Sequence, residues 1–252
     1  AIVIGKSNTP EFAAGANTDN ELFGATGNPW NPALSPSGSS GGSAAAVASG
    51  MAPLAQGTDF GCSLRMPAAF CGIVGLRTTP GLISNYPLAL PWDPGQVLGP
   101  MARTSEDAAM LLDAMKGFSR KIPNSVHAPW ESAFKIVLNK KHIKDLRFAY
   151  VADIAGHGID LELEKICREA AYSLSDCGAE IQEVEFDLSD ARDAYLTLRG
   201  AWMVGMQYKR LDKLHALESN LRGNIESGLK ISTRKLAEAE EPNQEEINSQ
   251  IL

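Results

Sequence analysis

Two serine- and glycine-rich clusters hold the residues of this chain whose types and spacing could do chemistry: Ser35-Pro-Ser-Gly-Ser-Ser-Gly-Gly-Ser43 and Gly57-Thr-Asp-Phe-Gly-Cys-Ser-Leu-Arg-Met-Pro67. Ser39 and Ser63, near their centres, stand 24 residues apart. Glycines beside a serine permit a tight turn that exposes the hydroxyl and lets backbone N–H groups converge on a substrate oxygen. Acyl transfer to a serine needs both features. A Ser-Gly run standing alone has the composition of a flexible linker, but here a second cluster follows, and then Ala68-Ala-Phe-Cys-Gly-Ile-Val-Gly-Leu76. The glycines are not followed by the Gly-Lys-Ser/Thr of a phosphate-binding loop. Gly61-Cys-Ser-Leu-Arg65 likewise departs from the Gly-x-Ser-x-Gly elbow of esterases, so something other than a Ser-His-Asp triad is implied.

The stretch from Ser35 to Leu76 resembles the amidase-signature family. That family is defined by Gly-Gly-Ser-Ser-Gly-Gly-Ser, then Thr-Asp-x-Gly-Gly-Ser-Ile/Leu-Arg, then Pro-Ala-Ala-Phe-Cys-Gly. Weaker similarity extends to Gly5-Lys-Ser-Asn-Thr-Pro-Glu-Phe12 and to Gly99-Pro-Met-Ala-Arg-Thr-Ser-Glu-Asp-Ala-Ala109. The resemblance implies that Ser63 is the nucleophile of an acyl-enzyme. It makes Ser39 a bridging serine in a cis peptide after Gly38, relaying protons between Ser63 and a neutral lysine base. The backbone N–H groups of Phe60, Gly61, Cys62 and Ser63 would form the oxyanion hole. Ser40 is carried over as a substrate-side residue that, with Ser43, supports these loops. The implied reaction is hydrolysis of a small-molecule carboxylic amide, with water releasing the acyl-serine, and it needs no cofactor and no metal. The implied fold is α/β: a large, mixed, mostly parallel sheet covered by helices.

Three departures bear on that reading. The family's lysine lies further upstream of the bridging serine than the 38 residues present here. Lys6, in Gly5-Lys-Ser-Asn, matches a different family lysine. Ser37 and Cys62 stand where the family has glycine. If the Cys62 position requires positive φ, a cysteine side chain there adds strain on the order of 1 kcal/mol and crowds the oxyanion hole. Cys62 as the nucleophile itself is disfavoured, because no histidine lies in the motif to activate it. Asp59 and Arg65 flank the nucleophile and read first as a structural ion pair. Asn85-Tyr-Pro-Leu-Ala-Leu-Pro-Trp-Asp93 is an aromatic, proline-rich loop placed to line an acyl pocket or to cap the core.

Two other functions remain open. One is the amidase subunit of a tRNA-dependent amidotransferase, against which Trp92-Asp93-Pro-Gly argues, since that type carries a Ser-Leu-Asp run there. The other is a binding module that has kept the pocket and lost the base.

The elements that must position these residues follow from pattern. A polar stretch from Ser7 to Gly42, dense in Asn, Pro, Gly and Ser, reads as loop held against a scaffold. Ser43 to Gly50 reads as a small-residue helix ended by glycine. Thr104 caps a helix to Met115. A strand at 146–151, a helix at 161–177 closed by Gly178 and a strand at 179–186 form a strand-helix-strand unit. Residues 190–241 are helical and charged. The chain opens on a buried-strand pattern, Ala1-Ile-Val-Ile, and stops inside an apparent helix at Glu245–Leu252, so the expectation is one amidase-signature domain over residues 1–252, incomplete at both ends. Composition is globular, at 44% hydrophobic and 21% charged. The net charge of −7 offers no basic surface for nucleic acid. No apolar run approaches the roughly 20 residues of a membrane span, and the first residues lack the charged-then-apolar layout of a signal peptide. The expectation is a cytoplasmic protein with reduced cysteines and no metal site, with a homo-oligomer left open.

Overall fold

The computed structural model describes residues 2–139, 143–185, 188–189 and 191–241. They divide into two compact units, one of residues 1–139 with 208–223 and one of residues 140–207 with 224–252.

The first unit is built on a three-stranded antiparallel sheet of β1 (Leu54–Asp59), β2 (Val74–Gly75) and β3 (Val97–Ala102), with β3 in the centre. In the β1–β3 register Asp59 faces Val97 and Leu54 faces Ala102. Because the pairing is antiparallel, the chain leaving β1 and the chain entering β3 share one edge of the sheet. Glycine is required at Gly57, where a Cβ would fall 2.6 Å from the Leu64 side chain and 2.7 Å from the Ser40 hydroxyl. Two helices each start just after a serine cluster: α1 (Gly41–Ala48) and α2 (Arg65–Cys71). Their inner faces meet in a core of Ala44, Leu64, Ala68, Cys71 and Met101. Ala44 and Ala68 contribute little volume, so the two helices can pack closely on the strands.

α3 (Ser105–Met115) starts as its sequence dictates, with the Thr104 side chain accepting the Asp107 N–H. Leu112 packs with Leu82 and Ile83, and against partly buried Leu98, Met115, Trp130 and Ala133. The last of these opens α4 (Ala133–Leu138). Asp113 of α3 accepts the N–H groups of Ala133 and Phe134 and the Ser132 hydroxyl, and pairs with Lys116 at 2.5 Å.

The second unit contains the strand-helix-strand segment. β4 (Arg147–Tyr150) and β5 (Glu180–Glu183) pair in parallel around α5 (Leu161–Ser173), which tightens to a 3-10 turn and ends at Gly178 with φ 88°. α6 (Ala191–Met206) meets the end of α7 (Ser219–Gly228) at a glycine pair, where a Cβ on Gly228 would lie 2.2 Å from the Gly200 oxygen. α8 (Thr233–Glu240) packs beside α6.

The fold is α/β, as expected; among the described residues no single sheet is mixed. Within the described residues the parallel share is confined to β4–β5, while the sheet carrying the serine clusters is antiparallel. The opening Ile2-Val3-Ile4 is not a buried strand. These side chains are 72–92% exposed, and no described strand pairs with them; an apolar run makes a strand only where a neighbour takes up its N–H and C=O groups. Phe186, Asp190 and the apparent helix at Glu245–Leu252 lie outside the described residues. No described helix is long and apolar enough to cross a membrane.

Candidate active site

The long Asn/Pro/Gly/Ser stretch is held by its own side chains. Thr18, 2% exposed, donates its hydroxyl to the Ser37 carbonyl at 2.8 Å and accepts the Gly41 N–H at 3.1 Å. Ser35 bonds Asn17 and accepts the Ser37 N–H. Ser43 donates to the Gln56 carbonyl and shares a 2.8 Å bond with Ser7. A buried polar loop is tolerable only when its groups are satisfied in this way. Ser37, Ser39, Ser40 and Ser43 are all buried. The Gly38–Ser39 peptide is cis.

The two serine clusters meet through the backbone: the Ser40 N–H donates to the Ser63 carbonyl at 3.3 Å. The Ser40 hydroxyl is spent on β1, accepting the Thr58 N–H at 3.1 Å and donating to the Thr58 carbonyl. Ser40 therefore welds the Ser39 turn to the strand that leads into Ser63. The expectation of a substrate-side Ser40 finds its hydroxyl already committed to the scaffold. Ser63 lies half-buried in the turn between β1 and α2.

That turn is organised by Asp59, whose side chain is fully buried. Its Oδ1 accepts the Cys62 N–H at 2.9 Å and its Oδ2 the Leu64 N–H at 3.1 Å. Arg65 grips both oxygens, and Arg77 reaches Oδ1 at 2.9 Å and the Asp59 carbonyl at 2.6 Å. Burial by itself would raise the Asp59 carboxyl's pKa. The Arg65 hydrogen bonds and the Cys62 and Leu64 amides outweigh it and hold the group below the ordinary carboxylate range. The flanking pair is thus an ion pair, as expected, and it also fixes both neighbours of Ser63.

One expectation changes. The Cys62 N–H, expected in an oxyanion hole, points instead at Asp59, because a buried carboxylate must gather donors from its own turn. Among the described residues no acceptor lies against the N–H groups of Gly61 and Ser63. Phe60 sits at the end of β1, its ring closely approached by Gly95, where a Cβ would fall 2.5 Å from it. Both replaced glycines prove to be positions of positive φ: 64° at Ser37 and 98° at Cys62. Lys6 is exposed, which does not suit a buried base. Tyr86 and Trp92 are exposed on the loop entering β3. Arg77, Thr18 and Ser7 do not stand out in the sequence; their roles depend on partners far along the chain, which spacing does not reveal.

A family model described as Amidase matches residues 1–250. The chain belongs to the amidase family. It is 40% identical over 184 residues to a glutamyl-tRNA(Gln) amidotransferase subunit of Methanosarcina barkeri, a match covering 73% of this chain and 38% of that protein. The corresponding protein of Thermosynechococcus vestitus is 42% identical over 195 residues, covering 77% and 39%. Among solved structures, the amidase chain is similar to 6-aminohexanoate cyclic dimer hydrolase complexed with substrate, with a TM-score of 0.83, 28% identity, and 98% of this chain and 53% of that one covered. A glutamyl-tRNA(Gln) amidotransferase subunit of Thermotoga maritima gives a TM-score of 0.69 at 28% identity, with the same coverage. The amidase chain thus spans well under half the length of the curated relatives it matches, and about half that of the solved structures.

Proposed function

We propose that the protein hydrolyses a carboxylic amide through an acyl-serine on Ser63. The observation that carries this reading is the Ser40 N–H to Ser63 carbonyl bond, which sets the Ser39 turn directly against the Ser63 turn. In the proposed cycle Ser39 relays the Ser63 proton, and Ser63 attacks the substrate carbonyl. The resulting oxyanion is received by the N–H groups of Gly61 and Ser63, with Phe60 completing the hole. The amine leaves with a proton returned through Ser39, and water releases the acid. The amidase-signature pattern places its lysine base further upstream of the bridging serine than the 38 residues present here, so the test includes an N-terminally extended protein.

The test is covalent labelling by a fluorophosphonate, read by mass spectrometry, on this chain, an extended chain and Ser63→Ala and Ser39→Ala in each. Labelling of Ser63 that needs both serines supports the relay. Folded proteins that all remain unlabelled would sink it.

A second reading is favoured by the identity of about two residues in five to glutamyl-tRNA(Gln) amidotransferase subunits. In it the same acyl-serine chemistry releases ammonia from an amide donor for a partner subunit. Glutaminase activity that appears only when partner subunits are added selects this reading; turnover of simple amides by the protein alone selects the first.

A further inference from the structure

We infer that Arg77 is a positioning residue that locks the 91–96 loop onto the Ser63 turn, so that one side chain sets both the acylation rate of Ser63 and the size of group accepted beside it. The inference rests on the acyl-serine reading and adds to it a determinant of specificity.

The sheet brings the parts together. β1 ends at Asp59 and β3 begins at Val97, opposite each other, so the Ser63 turn and the 91–96 loop emerge at one edge. Arg77 follows β2 on the far side of β3, and its fork spans that edge. Nη1 donates to the Asp59 carbonyl at 2.6 Å and to Asp59 Oδ1 at 2.9 Å, while Nη2 donates to the Gly95 carbonyl at 3.0 Å. The same Oδ1 holds the Cys62 N–H, one residue before the nucleophile. Asp93 shapes the loop by accepting the N–H groups of Gly95 and Gln96, and Asn124 reaches the Asp93 carbonyl. The lock is tight at Gly95, where even a methyl group would strike the Phe60 ring at 2.5 Å. Trp92 stands on the loop so fixed, 76% exposed. Gln96, next to Gly95, has a buried side-chain oxygen with no hydrogen-bond partner among the described residues. A planar guanidinium can serve a carboxylate and a separate carbonyl in one geometry; an ammonium, a single point of charge, cannot hold both.

Arg77→Gln, Arg77→Lys and Gly95→Ala test this in the protein that Ser63 labelling identifies as reactive. Two readouts are used: labelling rate constants for a small dialkyl and a bulky aryl fluorophosphonate, and hydrogen exchange of the peptide covering residues 90–97. Arg77→Gln is expected to speed exchange at Gly95 and Gln96, slow the small probe about tenfold, as loss of one charge-assisted bond would, and shift the aryl-to-small ratio. Arg77→Lys recovers most of the small-probe rate through Asp59 but leaves loop exchange and the ratio altered. Gly95→Ala, which leaves the Arg77–Asp59 contact in place, moves loop exchange and the ratio in the same sense, and it decides the matter if Arg77→Gln does not fold. Unchanged exchange with an unchanged ratio in all three variants overturns the inference. Equal loss on both probes with an unmoved loop also overturns it, since Arg77 would then serve the nucleophile alone. If wild type is never labelled, the acyl-serine reading has failed, and hydrogen exchange alone judges the lock.

Discussion

Residues with side chains at glycine-like positions give the sharpest expectations. Cys62 holds φ 98° beside Ser63, and among the described residues its side chain makes no hydrogen bond. Cys62→Gly removes a left-handed penalty of about 1–2 kcal/mol and returns about half of it through the freer unfolded chain. A net gain of about 0.5–1 kcal/mol, seen as a rise in Tm of about 1–4 °C, is expected. Ser37→Gly relieves the same kind of strain at φ 64° but gives up the Ser37 hydroxyl's bond to the Ala16 carbonyl, so it should be close to neutral in the same melt. Asp59→Asn leaves two arginines and two turn amides facing a weaker acceptor; a loss of about 3 kcal/mol by urea unfolding is expected. The folded carboxyl titrates below the unfolded one. Its contribution is therefore complete above about pH 4 and fades as pH falls through the lower folded value, so wild type and Asp59→Asn should converge in stability on acidification.

At the level of elements, Asp113 does for α4 what Asp59 does for the Ser63 turn. Burial alone would raise its pKa; Lys116 and the Phe134 and Ala133 amides bring it far below the ordinary range. Asp113→Ala uncaps α4 and costs about 1–2 kcal/mol, seen as faster hydrogen exchange through residues 132–138. Elements announced by local chemistry were legible in the sequence: the Thr104 cap, the strand-helix-strand segment and the glycine stop at Gly178. α1 begins two residues before the expected start at Ser43, because Gly41, poor in helix propensity, has its N–H taken by the Thr18 hydroxyl. β1 and β3 were not legible. Gly57, Gly99 and Pro100 are weak strand formers; the two glycines stand where a side chain would collide, with the Leu64 and Ser40 side chains at Gly57 and with the Leu76 oxygen, 2.0 Å from a Cβ, at Gly99. The serines of the candidate site came from resemblance, and the structure brings their two turns together. The carboxylate that orients their turn was visible only as a flanking charge, and Arg77 not at all.

Among the described residues, burial differs between the two units. The first unit holds two packed clusters and the buried Asp59 network. Among the described residues of the second, Ala179, Met203 and Ile225 are buried. On heating, the second unit should give way first. Trp202 is its one tryptophan, so differential scanning calorimetry should resolve two transitions, with the earlier one eliminating the Trp202→Phe fluorescence difference. The Ser40 clasp on Thr58 and the Arg77 clasp on Asp59 each join residues only 18 apart. Loops of that length close quickly and at small entropic cost, which gives the site a low local contact order. It follows that the Ser63 turn is an early-assembling part of the chain: during synthesis, the pairing of the two serine clusters needs nothing beyond β3, and it can be in place while the later helices are still being made.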